Sequence, residues 1–391
     1  MWGTKKIGDI CSIKRGASPR PIQQFLDKEG IPWVKIADAT SSYSRYIETT
    51  NQFIKPEGAD KSVTVSPGTL ILSNSATPGL PKIMKIKACV HDGWLILSDF
   101  RDVTRDFLYY MLLNIRKTII NQANGSVFQN LKTDIVRNFD ILLPPIEYQQ
   151  KLVKFLVDID EKIYVNRQIN TNLEQQAQAI FKSWFIDFEP FGGTMPDDWQ
   201  KACLLDIADY TNGLAMQKYR PTSHEQGIFV MKIKELRQGF CDSSSELCSN
   251  TVNPFYLIHN GDVIFSWSGS LLVDFWCGGL CGLNQHLFKV TSNKYAKWFY
   301  YCWTKFHLHH FITEAADKAT TMGHIKRENL AKAEVVIPTK QVYLTVGDLL
   351  GQIYNLMIAN RIEINALSTL RDTLLPKLTS GEIDVSKIEL G

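Results

Sequence analysis

An internal repeat constrains the fold of this chain more than any other feature of its sequence. Four groups of similar residues recur along the 391 residues, in the same order and at nearly equal offsets. Residues 2–36 match 199–233 after a shift of 197, 68–73 match 261–266 after 193, 109–110 match 300–301 after 191, and 131–167 match 325–361 after 194. Self-similarity at a fixed period is the signature of a duplicated structural unit. We therefore predict two copies of a unit of about 195 residues.

Each copy begins with a segment in which short strands and one helix alternate. The β-rich runs include residues 69–72, 94–97 and 263–265, and Gly, Pro, Asn and Ser separate them. A helical pattern interrupts the strands near residues 107–120 and again near 298–315. These patterns predict a mixed α/β domain in each copy.

A heptad pattern follows each of these domains, after prolines at 144–145 and at 338. Apolar residues and two asparagines then recur alternately four and three positions apart over about five heptads, which predicts helices of about 40 residues, roughly 60 Å long. The predicted seam residues are Leu152, Leu156, Ile159, Ile163, Asn166, Leu173, Ile180, Leu350, Ile353, Met357, Asn360, Leu367 and Leu374. We predict that the two helices pair as an antiparallel coiled coil, in which Asn166 and Asn360 fix the register. Separate docking of each helix on its own domain is the alternative.

The predicted fold class is therefore α+β, with two mixed α/β domains in tandem, each followed by a long helix. The predicted boundaries are 1–145 for the first domain, 146–190 for the central helix, 191–338 for the second domain and 339–391 for the C-terminal helix.

Charge is distributed unevenly between these segments. The whole chain carries a formal charge of only +3, which by itself does not indicate a nucleic-acid-binding protein. Counted by segment, residues 1–145 carry +6, residues 191–337 carry 0, and the two helical segments carry −2 and −1. Positive charge is therefore concentrated in the first domain, and the mildly acidic helices are suited to protein partners.

Several classes of protein are disfavoured by what the sequence lacks. Its eight cysteines are dispersed, and the spacing of Cys277 and Cys281 is not accompanied by a second pair, so we predict reduced thiols and no metal site. The chain shows no secretory signal and no apolar run of about 18 residues, and we expect a cytoplasmic protein. It has no phosphate-binding loop and no His-Glu-x-x-His motif. We therefore predict no catalytic residues.

Two long segments resemble the signatures of one known family. Residues 175–188, Gln-Gln-Ala-Gln-Ala-Ile-Phe-Lys-Ser-Trp-Phe-Ile-Asp-Phe, are similar to the central signature of the specificity subunit of type I restriction–modification systems, and residues 370–383 resemble its C-terminal signature. Residues 143–150 and 195–199 fit the same pattern, although the Pro-x-x-Trp motif before Trp199 has no counterpart before Trp2. The resemblance extends over both copies of the repeat.

The resemblance implies a role in reading DNA without catalysing a reaction. Residues 1–145 and 191–338 would be target recognition domains, each reading one half of a split, asymmetric site in double-stranded DNA. The paired helices would set the gap between the halves and dock methyltransferase subunits, two of them in the simplest arrangement, and restriction subunits would join that core. S-adenosylmethionine, ATP and Mg would be bound by the partner subunits and not by this chain.

We expect the DNA contacts to lie in basic and donor-rich loops, because such side chains bind phosphates and base edges. In the first domain they are Lys14, Arg15, Ser18, Arg20, Lys35, Asp38, Ser73, Asn74, Ser75, Thr77, Asn124, Ser126, Gln129, Asn130 and Lys132. In the second domain they are Lys232, Lys234, Ser266, Ser268, Ser270, Asn284, Gln285, His286, Thr320, Thr321, His324 and Lys326. The alternative for every loop is an ordinary surface turn, in which Ser and Asn cap backbone groups.

Two other functions stay open at this point. The first is a self-contained DNA methyltransferase or nuclease, which binding of S-adenosylmethionine by the chain alone would support. The second is a coiled-coil scaffold protein, which would show no salt-dependent affinity for DNA even in its assembled complex.

Overall fold

The structure is a computed structural model, and it describes residues 2–41, 44–123, 130–317 and 325–385. The chain divides into two compact units. Unit 1 contains Met1–Tyr164 together with Leu367–Gly391, and unit 2 contains Val165–Ala366. The unit boundaries fall inside the two long helices, whereas the predicted domain boundaries fall at the helix ends.

Unit 1 contains two five-stranded sheets and a two-stranded ribbon. Its strands are β1 Gly3–Lys6, β2 Ser12–Arg15, β3 Leu26–Asp27, β4 Ile31–Val34, β5 Tyr46–Ile47, β6 Gln52–Ile54, β7 Val63–Val65, β8 Leu70–Ser73, β9 Pro81–Met84, β10 Ala88–Val90, β11 Trp94–Ser98 and β12 Asp140–Leu143. Its helices are α1 Ile7–Ile10, α2 Ile36–Ser41, α3 Pro56–Ala59, α4 Arg105–Ala123 and α5 Thr133–Arg137. The sheet orders are β2-β11-β8-β9-β5, β3-β6-β4-β10-β7 and β1-β12.

Unit 2 repeats this topology with two four-stranded sheets and a ribbon. Its strands are β13 Gln200–Cys203, β14 Asp209–Asn212, β15 Ile228–Met231, β16 Leu247–Cys248, β17 Leu257–Ile258, β18 Val263–Ser266, β19 Leu272–Phe275, β20 Cys281–Leu283, β21 Leu287–Thr291 and β22 Glu334–Ile337. Its helices are α7 Leu204–Ile207, α8 Ile233–Gln238, α9 Lys297–Asp317 and α10 Arg327–Lys332. The sheet orders are β14-β21-β18-β19, β16-β15-β20-β17 and β13-β22, and the parallel pair β4–β10 of unit 1 recurs as β15–β20.

Alternation along the central strands β8 and β18 explains why each of them contributes to two separate cores. Successive side chains of a strand point to opposite faces of the sheet. Leu70 and Leu72 of β8 therefore join one core, with the buried helix α4, and Ile71 joins the other core, with Val34 and Trp94. In unit 2, β18 is divided in the same way: Val263 and Phe265 lie in the core that contains α9, whereas Ile264 lies with Met231 and Trp276.

One glycine in each unit allows two loops to approach closely. Gly16 donates from its amide to the Trp94 carbonyl at 2.9 Å, and Gly213 donates to the Leu287 carbonyl at 3.0 Å. A Cβ on Gly16 would lie 2.2 Å from the His91 carbonyl oxygen, and one on Gly213 would lie 2.3 Å from the Asn284 carbonyl oxygen. The segment after β2 is thereby held against residues 91–93 in unit 1, and the segment after β14 against residues 284–286 in unit 2.

Two long helices follow the two domains. Helix α6 runs Ile146–Phe185 and helix α11 runs Lys340–Ser380. Helix α11 ends where Gly381 adopts a φ of +80°, which favours glycine, and its amide donates to the Leu378 carbonyl at 3.3 Å.

Within each unit, one segment of α6 and one of α11 pack antiparallel on the same domain. In unit 1, Asp160 accepts a hydrogen bond from Arg371 at 2.7 Å and Tyr148 donates to the Leu378 carbonyl at 3.3 Å. In unit 2, Asn166 donates to Glu363 at 2.6 Å and Asn170 donates to the Met357 carbonyl at 3.1 Å. Coiled-coil pairing along the full length of the helices stays a prediction.

The predicted seam residues lie on the face of each helix that is turned away from solvent. Those that are buried are Leu152, Leu156, Ile159, Ile163, Asn166, Leu350, Ile353, Met357 and Asn360, and those that are half-buried are Leu173, Ile180, Leu367 and Leu374. Asn360 donates to the side chain of Asn170 at 2.9 Å, so the polar seam positions of unit 2 bond to each other or to the facing helix.

Helix α11 is long enough, and apolar enough over an 18-residue window of mean hydropathy 1.2, to span a membrane by length and composition alone. Its apolar residues have another explanation. Val346, Leu350, Ile353 and Met357 are buried in the core of unit 2 together with the aromatic side chains of α9.

Candidate nucleic-acid interface

A cleft in unit 1 gathers several of the predicted DNA contacts. It has a volume of about 920 Å³ and lies where the segment after β2 meets the segments after β4, β8 and β10. Its polar lining consists of Ser18, Arg20, Gln23, Lys35, Ser75, His91 and Asp92. Loops of unit 1 that are far apart in sequence therefore contribute to one concave surface.

The carboxylate of Asp92 is the centre of the polar contacts in this cleft. Ser18 donates its hydroxyl to Oδ1 of Asp92 at 2.8 Å, and Arg15 donates from Nε to the Asp92 carbonyl at 2.8 Å. The guanidinium nitrogens of Arg15 and Arg20 lie 3.9 Å and 3.7 Å from Oδ2 of Asp92. We refer to Arg15, Ser18, Arg20 and Asp92 as the Asp92 cluster.

Burial and hydrogen bonding set the charge states beside this cluster. The hydroxyl of Ser18 holds the pKa of the Asp92 carboxyl below its ordinary value, so the aspartate is ionised at neutral pH. Burial lowers the pKa of His91 below 6.5, and its Nδ1 accepts a hydrogen bond from the Gly93 amide at 2.8 Å. The cleft therefore presents one carboxylate, a neutral imidazole and the cations Arg20 and Lys35, and Arg15 contacts Asp92 beside it.

The loop after β8 supports the cleft through backbone contacts. Asn74 is buried and donates from its side chain to the Asp92 carbonyl at 3.1 Å, while its own carbonyl accepts from the Leu131 amide at 2.8 Å. Ser73 is fully buried and donates to the Thr77 carbonyl at 2.5 Å. These two side chains hold the loop in place, while Ser75 and Thr77 remain partly exposed.

Unit 2 has amide side chains at the corresponding place where unit 1 has Arg15, Arg20 and Asp92, while Lys232 takes the position of Lys35. Residues 284–286 occupy the position of 91–93, and Ser268 shares a hydrogen bond with His286 at 3.2 Å. Gln285 contacts the other ring nitrogen of His286 at 3.3 Å. At the positions of Arg15, Ser18 and Arg20, unit 2 has Asn212, Ala215 and Gln217.

Comparison with known proteins identifies the family. A family model described as the type I restriction modification DNA specificity domain matches residues 1–175 and again residues 196–366. This chain belongs to that family. The repeat inferred from the offsets is thereby confirmed as two copies of one DNA specificity domain.

Curated relatives match nearly the whole chain. The type I restriction enzyme MjaIX specificity subunit of Methanocaldococcus jannaschii is 26% identical over 412 residues, which cover 99% of this chain and 94% of the relative. The HindI specificity subunit of Haemophilus influenzae is 22% identical over 469 residues, which cover 98% and 99%. The predicted role as a non-catalytic specificity subunit is confirmed, and the alternatives of a self-contained enzyme or a scaffold are not favoured.

A solved structure confirms the fold class. The crystal structure of the S subunit of a type I restriction–modification system from M. genitalium superposes with a TM-score of 0.59 at 14% identity, covering 97% of this chain and 96% of that chain. The α+β architecture with tandem domains is shared with that specificity subunit.

The remaining candidates of the first specificity domain fall into three groups. Lys14, Asn130 and Lys132 are exposed. Asp38 is buried, and its two carboxylate oxygens accept from the Lys35 amide at 2.8 Å and from the side chain of Asn51 at 2.9 Å, so it stabilises the start of α2. Asn124, Ser126 and Gln129 lie outside the described residues.

The remaining candidates of the second specificity domain divide in a similar way. Ser270 and Lys326 are exposed, whereas Ser266 and Asn284 are buried. Two lysines are engaged with acidic side chains: Lys232 pairs with Glu246, and Lys234 lies 3.3 Å from Asp242. Thr320, Thr321 and His324 lie outside the described residues.

The sequence analysis missed His91 and Asp92, although the repeat contains the signal that would have found them. A shift of 193 maps the predicted contacts Asn284, Gln285 and His286 onto residues 91–93. Within the described ranges, no group of three or more His, Cys, Asp or Glu side chains is arranged to hold a metal ion.

Proposed function

We propose that this specificity subunit reads a bipartite, asymmetric DNA site, one half with each specificity domain. The observation that carries the proposal is the combination of a repeated backbone with different polar side chains in the equivalent place. Unit 1 offers Arg15, Arg20 and Asp92 there, whereas unit 2 offers Asn212, Gln217 and Gln285. Because hydrogen-bond donors and acceptors on side chains select base edges, two different sets favour two different half-sites.

The proposed contacts divide into phosphate and base contacts. Exposed lysines such as Lys14, Lys132 and Lys326 would bind phosphates and position each domain on double-stranded DNA. Side chains that face the cleft would read base edges. The charge difference between the domains, +6 against 0, predicts that unit 1 supplies the larger share of the salt-dependent affinity.

The two long helices would set the gap between the half-sites and dock methyltransferase subunits. Support comes from the apolar side chains that these helices leave exposed, because exposed apolar surface on helices is typical of interfaces with other proteins. The exposed apolar residues are Ile146, Val165, Ile169, Leu344, Leu349, Leu356 and Leu370. Two methyltransferase subunits, one for each specificity domain, follow from the repeat.

Catalysis in the proposed complex belongs to other chains. Methyltransferase subunits would bind S-adenosylmethionine and methylate the DNA, and restriction subunits would use ATP and Mg for cleavage. We place the assembled complex in the cytoplasm, where the chromosome is accessible and the cysteines stay reduced.

Single-molecule sequencing of DNA methylation tests the proposal directly. The chain is expressed with its methyltransferase partners in a host that lacks other methylation, and the methylated motif is determined. We expect two different specified half-sites separated by an unspecified gap. A palindromic motif, or methylation without sequence preference, would refute the proposal.

An insertion tests the gap-setting role of the helices. Seven residues are added to α6 and seven to α11 at facing positions, so that the heptad seam stays in register. The insertion lengthens the helix pair by about 10 Å, close to three base pairs at about 3.4 Å each. We expect unchanged half-sites and a gap that is longer by about three base pairs, and an unchanged gap would contradict the role.

A further inference from the structure

We infer that unit 1 reads a guanine–cytosine base pair in the major groove with Arg20 and Asp92. The inference rests on the proposed function and adds to it the residues and the base pair that one half-site must contain. Arg20 would donate to guanine, and Asp92 would accept from the cytosine paired with it.

The geometry leaves one oxygen of Asp92 available for a ligand. Oδ1 accepts the hydroxyl of Ser18 at 2.8 Å, which fixes the orientation of the carboxylate. Among the described residues, Oδ2 has only the guanidinium groups of Arg15 and Arg20 near it, at 3.9 Å and 3.7 Å, which is beyond hydrogen-bonding distance. The side chain of Asp92 is 40% exposed, so a donor from outside the protein has access to Oδ2.

Arg20 is positioned to extend towards such a ligand. Its side chain is 84% exposed, while its guanidinium stays 3.7 Å from Oδ2 of Asp92. The carboxylate therefore biases the orientation of the arginine without consuming its donors. A planar guanidinium with free donors is the group that binds guanine through two parallel hydrogen bonds, to O6 and N7.

The donor and acceptor groups match one base pair better than the others. In the major groove a guanine–cytosine pair presents two acceptors on guanine and, beside them, the N4 amino donor of cytosine. Arg20 supplies the donors and Asp92 supplies the acceptor. On an adenine–thymine pair the N6 amino donor of adenine separates the two acceptors, N7 of adenine and O4 of thymine, so a guanidinium would make only one of its two parallel hydrogen bonds.

Local charge explains why an aspartate is tolerated at a surface that binds a polyanion. Arg15 and Arg20 lie 3.9 Å and 3.7 Å from Oδ2 of Asp92, and Lys35 lines the same cleft, so the positive charges outnumber the single charge of Asp92. A phosphate would still be repelled from Oδ2 itself, whereas a base amino group would be attracted. The carboxylate therefore favours a base edge over the backbone at this position.

The equivalent place in unit 2 supports assigning this chemistry to unit 1 alone. Asn212 and Gln217 replace the two arginines, Ala215 replaces Ser18, and Gln285 replaces Asp92. The backbone hydrogen bonds that hold the segment are retained, at 2.9 Å from Gly16 and 3.0 Å from Gly213. The two specificity domains thus present different donor and acceptor side chains on the same backbone arrangement.

The test uses the full chain co-expressed with its methyltransferase partners and reads the methylated motif of four variants. Arg20→Ala and Asp92→Ala remove the proposed contacts, Arg20→Lys keeps the charge but loses the paired donors, and Gln217→Ala is the matched control in unit 2. We expect Arg20→Ala to lower discrimination at a single guanine–cytosine position by roughly 5- to 150-fold, the range that one bidentate contact supplies. Arg20→Lys and Asp92→Ala should lower discrimination at the same position by a smaller factor. The control should leave that half-site unchanged.

Three outcomes would overturn the inference. They are wild-type discrimination at every position in both Arg20 variants, relaxation at an adenine–thymine position instead, or a uniform loss of methylation in Arg20→Ala that Arg20→Lys restores, which would identify a phosphate contact. If Asp92→Ala does not assemble, Arg20→Lys decides, because that exposed side chain contributes little to stability. A wild-type motif without two half-sites would refute the proposed function itself, which separates the two failures.

Discussion

Unit 1 and unit 2 hold an equivalent three-residue segment beside an equivalent glycine, but the side chains on that segment differ. His91, Asp92 and Gly93 occupy the place in unit 1, and Asn284, Gln285 and His286 occupy it in unit 2. The supporting contacts are retained: the Leu131 amide donates to the Asn74 carbonyl at 2.8 Å, and the Ile325 amide donates to the Trp267 carbonyl at 2.9 Å.

The two copies of the specificity domain share their backbone hydrogen bonds but differ in the side chains at the equivalent positions. Backbone hydrogen bonds and buried serines such as Ser73 and Ser266 hold the loops in both copies. On the neighbouring segments the charged side chains of Arg15, Arg20 and Asp92 are replaced by the neutral amides of Asn212, Gln217 and Gln285. A repeated domain can therefore acquire a new target through its side chains while the frame that carries them remains the same.

The largest expected effect comes from exchanging residues 1–145 for the equivalent domain of another family member. Because the recognition side chains of unit 1 lie in this segment, one half of the methylated motif should be replaced completely and the other half should stay the same. Methylation sequencing of the assembled complex measures both halves. A change in both halves would contradict independent reading by the two units.

A smaller but still severe effect is expected from Gly16→Ala and Gly213→Ala. A Cβ at either position would lie within 2.3 Å of a backbone carbonyl oxygen, so the backbone must shift. Each variant should lower the free energy of unfolding by about 3 kcal/mol. Urea unfolding of the full chain measures the loss, and Gly3→Ala, which has nothing within 4 Å of its new Cβ, is the control. Equal stability of Gly16→Ala and the control would disprove the close approach.

The ion pairs that tie α11 to each unit should differ in strength. Arg371 pairs with Asp160, whose side chain is 13% exposed and also accepts from Tyr110 at 2.7 Å, whereas Arg361 pairs with Asp274, which is 26% exposed. Arg371→Met leaves the more buried carboxylate without its cation and should cost about 2 kcal/mol. Arg361→Met should cost about 1 kcal/mol.

Thermal unfolding of the full chain ranks these two variants. Lys201→Met is the control, because Lys201 and Glu334 are both more than half exposed and their pair should contribute nothing measurable. A larger loss of thermal stability in Arg361→Met than in Arg371→Met would show that burial of the carboxylate does not determine which ion pair is stronger.

The smallest expected effect is a pH dependence of stability that only unit 1 gains from this position, because His91 titrates and its counterpart in unit 2 does not. Burial lowers the pKa of His91 below its ordinary value of 6.5, so the unfolded chain binds the proton more readily than the folded one. The stabilising contribution of the neutral imidazole is therefore present above about pH 6.5 and is lost as the pH falls from there through the folded-state pKa. Unit 2 has Asn284 at this position, which does not titrate.

His91→Asn should remove part of the acid sensitivity. The unfolding midpoints of the wild type and the variant are compared at about pH 8 and about pH 5.5. The drop between the two pH values should be smaller in the variant, and an equal drop would show that His91 does not contribute.

The sequence alone determined the repeat, the mixed strand and helix content of each copy with its one longer internal helix, the heptad seam and the family. These properties are encoded locally or by self-similarity: alternation marks strands, a period of 3.5 marks the long helices, and equal offsets mark the duplication. The helices predicted near residues 107–120 and 298–315 are observed as Arg105–Ala123 and Lys297–Asp317.

Only the tertiary structure decided which polar residues share a site. Ser18 and Asp92 are 74 positions apart, and they meet because β2 pairs with β11 and because Gly16 lets two backbones touch. The sequence also did not predict which polar side chains are buried. Asp38, Ser73 and Asn74 have the same residue types as the exposed loop residues, but they are buried and make their hydrogen bonds within the protein. Polar character is a property of the residue, whereas availability to DNA depends on which distant segments the sheet pairing brings against it.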